Sequence, residues 1–544
     1  MRFLMPSGAD YPALKTSWKP DLTAGLTVGI VALPLALAFG ASSGVGAEAG
    51  LITAIVAGCI AAIFGGSNVQ VSGPTGAMVV VLAPIVAEHG AHAIATVSVM
   101  AGTIVALAGV LRLGRLVTYI PWPVIEGFSV GIGVIIFAQQ IPGALGNPET
   151  PEHTNALVAA ASSLAHAHWP QALLPLGVAL AVVAIMVVLQ RVAPRVPASF
   201  AAIVVITVVA TVFAVPLETI GQLPRTLPAP HAPAMDATLL AELAGPACAV
   251  AALAAIESLL SARVAASMAP TGPVNADREL WGQGLASLAA GFFGGMPATG
   301  AIARTAVNVR AGAQTRCAAI IHAVFLLLVV LVAAPVVSVI PLAALAGVLM
   351  VTAARMVSLE ALRHAFSMSR SDAAIFLLTA VITVSVDLVV AVLVGIGAAA
   401  LLLLRRLSQD ARIERRALPG TAQPGDEKIA LFTIHGALFF GAAERISLTI
   451  ADTAAVTVAI IKLSDVNLID STGATTLAEL IDDLRTQNTT VFLVGTRPEH
   501  RTLLRQATHA TKALSPDAVF YDAAEAVAEA RKVNAKLGHQ GKNM

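Results

Sequence analysis

From residue 22 to residue 404 the chain is a succession of apolar runs separated by short turns rich in Gly, Pro and Arg. A membrane-spanning helix needs about 20 such residues, and fewer where it ends inside the protein. The runs are 22–41, 46–65, 75–88, 93–111, 122–141, 172–190, 198–215, 242–262, 282–292, 300–310, 317–335, 341–354, 373–386 and 388–404. Fourteen helices are predicted, several short or interrupted. After residue 428 the pattern changes to alternating strands and helices. Strands are expected at 429–434, 456–463 and 491–494, with helices at 472–487, 498–508 and 522–534, which describes a small α/β sheet.

Composition turns this pattern into a class. Of the 544 residues 57% are hydrophobic and 12% charged, against about 25% charged in an average soluble domain. A soluble globule of this size cannot hide so much apolar surface. Hydrophobicity also excludes disorder, and a net charge of +1 excludes a nucleic-acid binder. No lysine occurs between Lys19 and Lys428. The domains read as a polar N-terminus, 1–20, a membrane domain, 21–405, an Arg-rich linker, 406–427, an α/β domain, 428–537, and a tail, 538–544. The first run is a retained helix, since no small-residue cleavage site follows it. Cys59, Cys248 and Cys317 lie in apolar runs without metal-ligand spacing and read as buried small hydrophobes.

Loop charges set the direction of the spans. Arg112/Arg115, Arg191/Arg195, Arg263/Arg278, Arg310/Arg316, Arg355/Arg363/Arg370 and Arg405/Arg406 share one side of a fourteen-span arrangement. The other side holds Glu149, Glu152, His153, His166 and His168, with Arg225 as its cation. The positive-inside rule then puts both termini in the cytoplasm, and the expected location is a bacterial inner membrane.

Two short motifs repeat: Gly73-Pro74-Thr75-Gly76-Ala77 and Pro297-Ala298-Thr299-Gly300-Ala301. Each follows an extended stretch and opens a short apolar helix, in third place of spans one to seven (21–218) and of spans eight to fourteen (239–405). Seven is odd, so the second copy is inverted, as in transporters whose site lies where two broken helices meet. Helix starts at mid-membrane leave N–H groups unpaired and carry about half a positive charge. Two of them facing each other make an anion site. Thr75 and Thr299 are placed to cap or donate.

Span eight carries Glu257 and Ser261 four residues apart, on one helical face. A carboxylate in hydrocarbon costs at least ~3 kcal/mol and is normally functional and paired. Glu257 reads as a sodium ligand together with Ser261, as a proton carrier, or as the partner of an Arg in span ten. Arg304, one turn beyond Gly300, either adds positive potential behind the anion, snorkels, or pairs with Glu257. Asp387 reads as a loop or cap residue, and Glu88 and Glu126 sit at span ends without a role.

Several stretches resemble the sulfate permease (solute carrier 26) family: Ala32-Leu-Pro-Leu-Ala-Leu-Ala-Phe-Gly40, Gly46-Ala-Glu-Ala-Gly50, Ser72-Gly-Pro-Thr-Gly76, Ile256-Glu-Ser-Leu-Leu-Ser261, Asp277-Arg-Glu-Leu and Arg304-Thr-Ala-Val-Asn308. Within it the chain is most similar to the branch of cyanobacterial sodium-dependent bicarbonate transporters. The resemblance implies a 7+7 inverted repeat in a homodimer. Spans 1–4 and 8–11 would form a core that moves like an elevator against a gate of spans 5–7 and 12–14. It places the anion near Thr75, Gly76, Ala77, Ala301 and Ile302, and sodium near Glu257, Ser261 and Gly300. The bicarbonate branch has Asp and Thr at the positions of Glu257 and Ser261, and Thr at Ile302. Many sulfate-type members have a polar residue at Leu35. The longer Glu257 side chain shifts weight from sodium toward a proton. The tail resembles a STAS domain, with Asp470-Ser471-Thr472-Gly473 joining a strand to a helix start. There Ser471 or Thr472 is either a phosphorylated regulatory residue that meets a protein partner or a plain helix cap.

The expected function is secondary-active transport of a small inorganic anion, such as bicarbonate or sulfate, coupled to sodium or protons. No cofactor is implied beyond that ion. The alternatives are a proton-coupled C4-dicarboxylate carrier, a nucleobase permease of the same fold, and a membrane-tethered signalling scaffold. The absence of a Walker loop counts against a pump, and no Ser-His-Asp, metal or paired-carboxylate constellation suggests an enzyme.

Overall fold

The computed structural model describes residues 4–6, 14–115, 120–146, 155–194, 196–223, 225–268, 272–357, 362–363, 366–367, 369–386, 388–440, 456–509 and 518–540. Glu149, Glu152, His153, Arg195 and Asp387 lie outside the described residues. The chain forms two compact units, Met1–Ile396 and Gly397–Met544.

The first unit opens with α1 (Leu14–Ser42), α2 (Ala47–Phe64), the short strand β1 (Ser72–Gly73), α3 (Gly76–His89) and α4 (Ala93–Val110). Then come α5 (Trp122–Ala144), α6 (Ala156–Ala165), α7 (Leu173–Val192) and α8 (Ala198–Val212). The second half runs through α9 (Ala237–Met268), α10 (Ala276–Phe292), strand β2 (Thr299–Gly300), α11 (Ile302–Arg310), α12 (Cys317–Val337) and α13 (Leu342–Met356). It closes with α14 (Arg370–Ser385) and the start of α15 (Leu388–Asp410), which runs on from Gly397 into the second unit. All fourteen predicted spans are helices. Eight are long and apolar enough to cross a bilayer alone, and α3, α8, α10, α11, α13 and α14 are the shorter ones. Helix α6 is an addition: its starting residue Asn155 accepts from Leu157 N at 2.9 Å, and at ten residues it is too short to register as a span.

Packing follows the inverted repeat. If α1–α5, α7 and α8 correspond to α9–α13, α14 and α15, each contact should have a partner with the halves exchanged. The α4–α10 contact is matched by α2–α12, α1–α12 by α4–α9, α1–α2 by α9–α10, and α5–α14 by α7–α13. Two sets of helices emerge, α1–α4 with α9–α12 and α5–α8 with α13–α15. Small residues allow the closest of these contacts. A Cβ on Gly284 of α10 would lie 2.3 Å from the backbone nitrogen of Ala106 in α4.

Among its described residues the second unit holds a six-stranded sheet with helices packed on it. Residues 412–416, which their charge assigns to the linker, instead form strand β3 (Arg412–Arg416), antiparallel to β4 (Ile429–Leu438). The Arg-Ile-Glu-Arg-Arg sequence is an edge strand with one apolar inward position, too polar to be read as a strand. β4 pairs in parallel with β5 (Val458–Lys462) and β6 (Val466–Ile469), and β5 pairs with β7 (Thr490–Val494), which pairs with β8 (Val519–Phe520). Alternation along β4 feeds two cores. Phe432 and Ile434 pack with α16 (Ser471–Thr486) and α17 (Pro498–His509), while Ile429 and Leu431 pack with α18 (Ala523–Gln540).

Candidate functional site

The centre of the membrane unit is the antiparallel pair β1–β2, with Ser72 opposite Gly300 and Gly73 opposite Thr299. Helix α3 starts just beyond β1 and α11 just beyond β2, so their N-termini approach from opposite directions. Side chains of α11, with the backbone of Ala301 before it, hold the segment that leads into β1. Thr305 Oγ1 accepts from Val71 N at 3.1 Å, Asn308 Nδ2 donates to Val69 O at 2.8 Å, and Ala301 N donates to Val71 O at 2.9 Å.

This geometry corrects the alignment of the two motifs. Thr75 is the residue that starts α3, whereas Thr299 lies inside β2 and Ala301 starts α11. Thr75 therefore corresponds to Ala301, not to Thr299, and Gly76 to Ile302. Matching Pro/Ala-Thr-Gly strings by letter shifts the second half by two residues, because β2 uses its Thr-Gly pair as strand. Neither Thr75 nor Ala301 caps its helix with a side-chain hydrogen bond. The first-turn N–H groups are thus left without a side-chain acceptor, as an anion site requires.

The Thr75 hydroxyl goes elsewhere. It donates to Glu257 Oε2 at 2.9 Å, joining the start of α3 to α9. Thr299 approaches the same carboxylate, and the charge of Arg304 acts on it. Ser261, one turn on, is fully buried and donates to Thr305 Oγ1 at 3.1 Å, so its hydroxyl points to α11. Gly300 N donates to Ser258 Oγ at 3.0 Å. Arg304 is only 2% exposed, which excludes snorkelling, and its Nη2 donates to the Pro74 carbonyl. Arg304 of α11 thereby braces the turn that precedes α3. Thr75, Gly76, Ala77 and Ala301 are buried and Ile302 is half-buried at the two helix starts.

Several residues at the site have no part in the sequence reading. Gln70 Nε2 donates to Ser258 O at 3.2 Å. Glu279, within the Asp277-Arg-Glu-Leu stretch, accepts from Gly66 N at 2.7 Å and Ser67 N at 3.0 Å and holds the loop that leads to β1. Gln283 donates to both Glu279 and Ser72. On the other side Ser287 Oγ accepts from Ala298 N at 3.1 Å. The signal is polarity: these are polar residues inside or between the apolar runs, and a polar group in a membrane domain persists only when paired.

In the second unit Asp470, rather than Ser471 or Thr472, caps α16, with Oδ1 accepting from Gly473 N at 2.7 Å. Ser471 and Thr472 form the exposed first turn. Asp is as good a cap as Ser and stands one residue earlier.

An inverted helical repeat with half-helices meeting at its centre defines a membrane transporter, not an enzyme. Residues 18–379 match the sulfate permease family and residues 422–526 match a STAS domain; the chain belongs to the sulfate permease family. It is 34% identical to the putative sulfate transporter YvdB of Bacillus subtilis, over 90% of this chain and 93% of that one. It is 31% identical to the bicarbonate transporter BicA of Picosynechococcus, over 94% of each. Among solved structures, murine Solute Carrier 26 family member A9, an anion transporter in the inward-facing state, superposes with a TM-score of 0.84. That match covers 98% of this chain and 94% of the other at 18% identity, and so speaks for the fold.

Proposed function

We propose that this protein is a secondary-active carrier of a small inorganic oxyanion, bicarbonate or sulfate, driven by a proton gradient across a bacterial inner membrane. The observation that carries the reading is the hydrogen bond from Thr75 to Glu257 at the meeting point of α3 and α11. The anion sits between the two helix starts, at Thr75, Gly76, Ala77, Ala301 and Ile302, with Arg304 behind it. Its charge is met by first-turn N–H groups, the helix dipoles and the buried guanidinium. Names of the relatives, a putative sulfate transporter and a bicarbonate transporter, support that anion class.

Glu257 carries the proton. Protonation removes a negative charge beside the anion, so cation and anion favour each other's binding, as symport requires. A sodium ion at Glu257, Ser261 and Gly300 is the second reading. The Ser261 hydroxyl donates to Thr305 and keeps its oxygen lone pairs for such a cation, so the preference for a proton rests on Glu257 alone, whose carboxyl takes up a proton with no further ligand. Both termini face the cytoplasm, and α1–α4 with α9–α12 move as an elevator against the other helices of a homodimer. Ser471 and Thr472 are presented to a regulatory protein. The test is uptake of labelled bicarbonate, sulfate and fumarate into proteoliposomes under an imposed proton gradient. Accumulation of bicarbonate or sulfate supports the reading, while fumarate uptake alone would assign a C4-dicarboxylate carrier.

A further inference from the structure

The two helix sets meet at one face of α5. Ile136 and Gln140, four residues apart, lie on the same side of that helix, 1% and 3% exposed. A Cβ on Gly76, the first residue of α3, would lie 2.3 Å from Ile136 Cδ1 and 3.4 Å from Phe39 Cε1 of α1. Ile136 is therefore seated directly on the start of α3. One turn further, Gln140 Oε1 accepts from Ser42 Oγ at the end of α1, at 3.1 Å. Gln140 Nε2 turns back to Ile136 O at 3.4 Å, a bond within its own helix. A glutamine amide held inside an apolar helix packing costs free energy unless it is matched, and here its oxygen is matched across the boundary between the two sets.

We infer that Gln140 and Ile136 form the latch that closes the outer side of the anion site: Gln140 fastens to Ser42 while Ile136 covers Gly76. This rests on the alternating-access reading above, including its orientation. With cytoplasmic termini, α1 and α5 both run outward, so Ser42 and Gln140 stand nearer the outer surface than Gly76 and Ile136. Movement of α1 and α3 away from α5 breaks the Ser42–Gln140 bond and uncovers the start of α3 to the outside. The latch is a positioning device: it sets how much of the population is closed, not the chemistry of the site. Loss of one such bond, at about 1 kcal/mol, shifts the closed-to-open ratio about fivefold.

The test uses full-length protein in proteoliposomes, with the three native cysteines replaced by Ala and Phe39→Cys as reporter. Labelling by a membrane-impermeant maleimide is read separately from each side. Adding Gln140→Leu or Ser42→Ala should raise labelling from the outer side about fivefold, and combining the two should add little. Ser42→Thr, which keeps the hydroxyl, should label like the parent. Unchanged outer labelling in both Gln140→Leu and Ser42→Ala would overturn the latch, as would an increase confined to the inner side. Failure of the transport reading is distinguishable, because it would appear as absent oxyanion uptake in the parent protein.

Discussion

The hydroxyl of Thr75, at the start of α3, donates to Oε2 of Glu257 in the middle of α9 at 2.9 Å. Thr75 belongs to the first half of the repeat and Glu257 to the second, so the bond joins the proposed anion pocket to the proposed cation carrier across the pseudo-symmetry. Coupled transport needs a physical link of this kind, in which occupancy of one site alters the free energy of the other.

Thr75→Val keeps the shape of the side chain and removes the donor. Hydrogen bonds to charged groups are worth about 1.5–3 kcal/mol, and 1.4 kcal/mol is tenfold in affinity. The expected result is stimulation by the gradient reduced roughly tenfold, because the bond joins the cation carrier to the anion pocket and not to the anion itself. Initial uptake rates across a range of anion concentrations, with and without the gradient, provide the check. Thr75→Ser should stay near the parent.

Gly76→Val places two methyl groups where Ile136 and Phe39 already stand. The Ile136 side chain must turn aside or the helix start must shift, and in either case the added methyl groups crowd the N–H groups that would face the anion. Binding to purified protein, followed by calorimetry, should fall below detection while the variant elutes as folded protein. Parent-like affinity would refute the site assignment.

How much of this was legible beforehand differs by element. The fourteen helices follow from apolar runs, and the half-helix pair follows from two Gly-containing breaks in equivalent places. Residue-level alignment of those breaks did not follow, because Thr299-Gly300 is strand while Thr75-Gly76 is helix start, a distinction set by the β1–β2 register rather than by composition. Glu257 was conspicuous as a lone carboxylate, but its bond to Thr75 is a long-range contact between halves. Strand β3 is not legible in the sequence, because an edge strand rich in Arg has the same composition as a linker. Ser471 and Thr472 have the composition of caps, and the structure gives that position to Asp470, the residue before them.

The α/β unit has its own pH signature. Asp426 accepts from Arg531 at 2.8 and 2.9 Å, and these hydrogen bonds, with Gln423 N, hold its carboxyl below the ordinary value of 3.8. A depressed acid contributes stability that is fully present above the unfolded value and is lost as pH falls through the lower, folded one. Asp426→Asn should therefore lower the melting temperature of this unit at neutral pH and have progressively less effect below about pH 4. Calorimetric scans of parent and variant at several pH values measure this, and an effect that grows on acidification would contradict it.

The most direct measurement compares parent protein with Glu257→Gln in proteoliposomes, following labelled bicarbonate and sulfate under a proton gradient and then under a sodium gradient. Glutamine retains an oxygen to accept from Thr75 but cannot take up or release a proton. The account predicts proton-driven accumulation by the parent, and in the variant only gradient-independent equilibration of the anion. Unchanged proton-driven accumulation by the Glu257→Gln variant would contradict it.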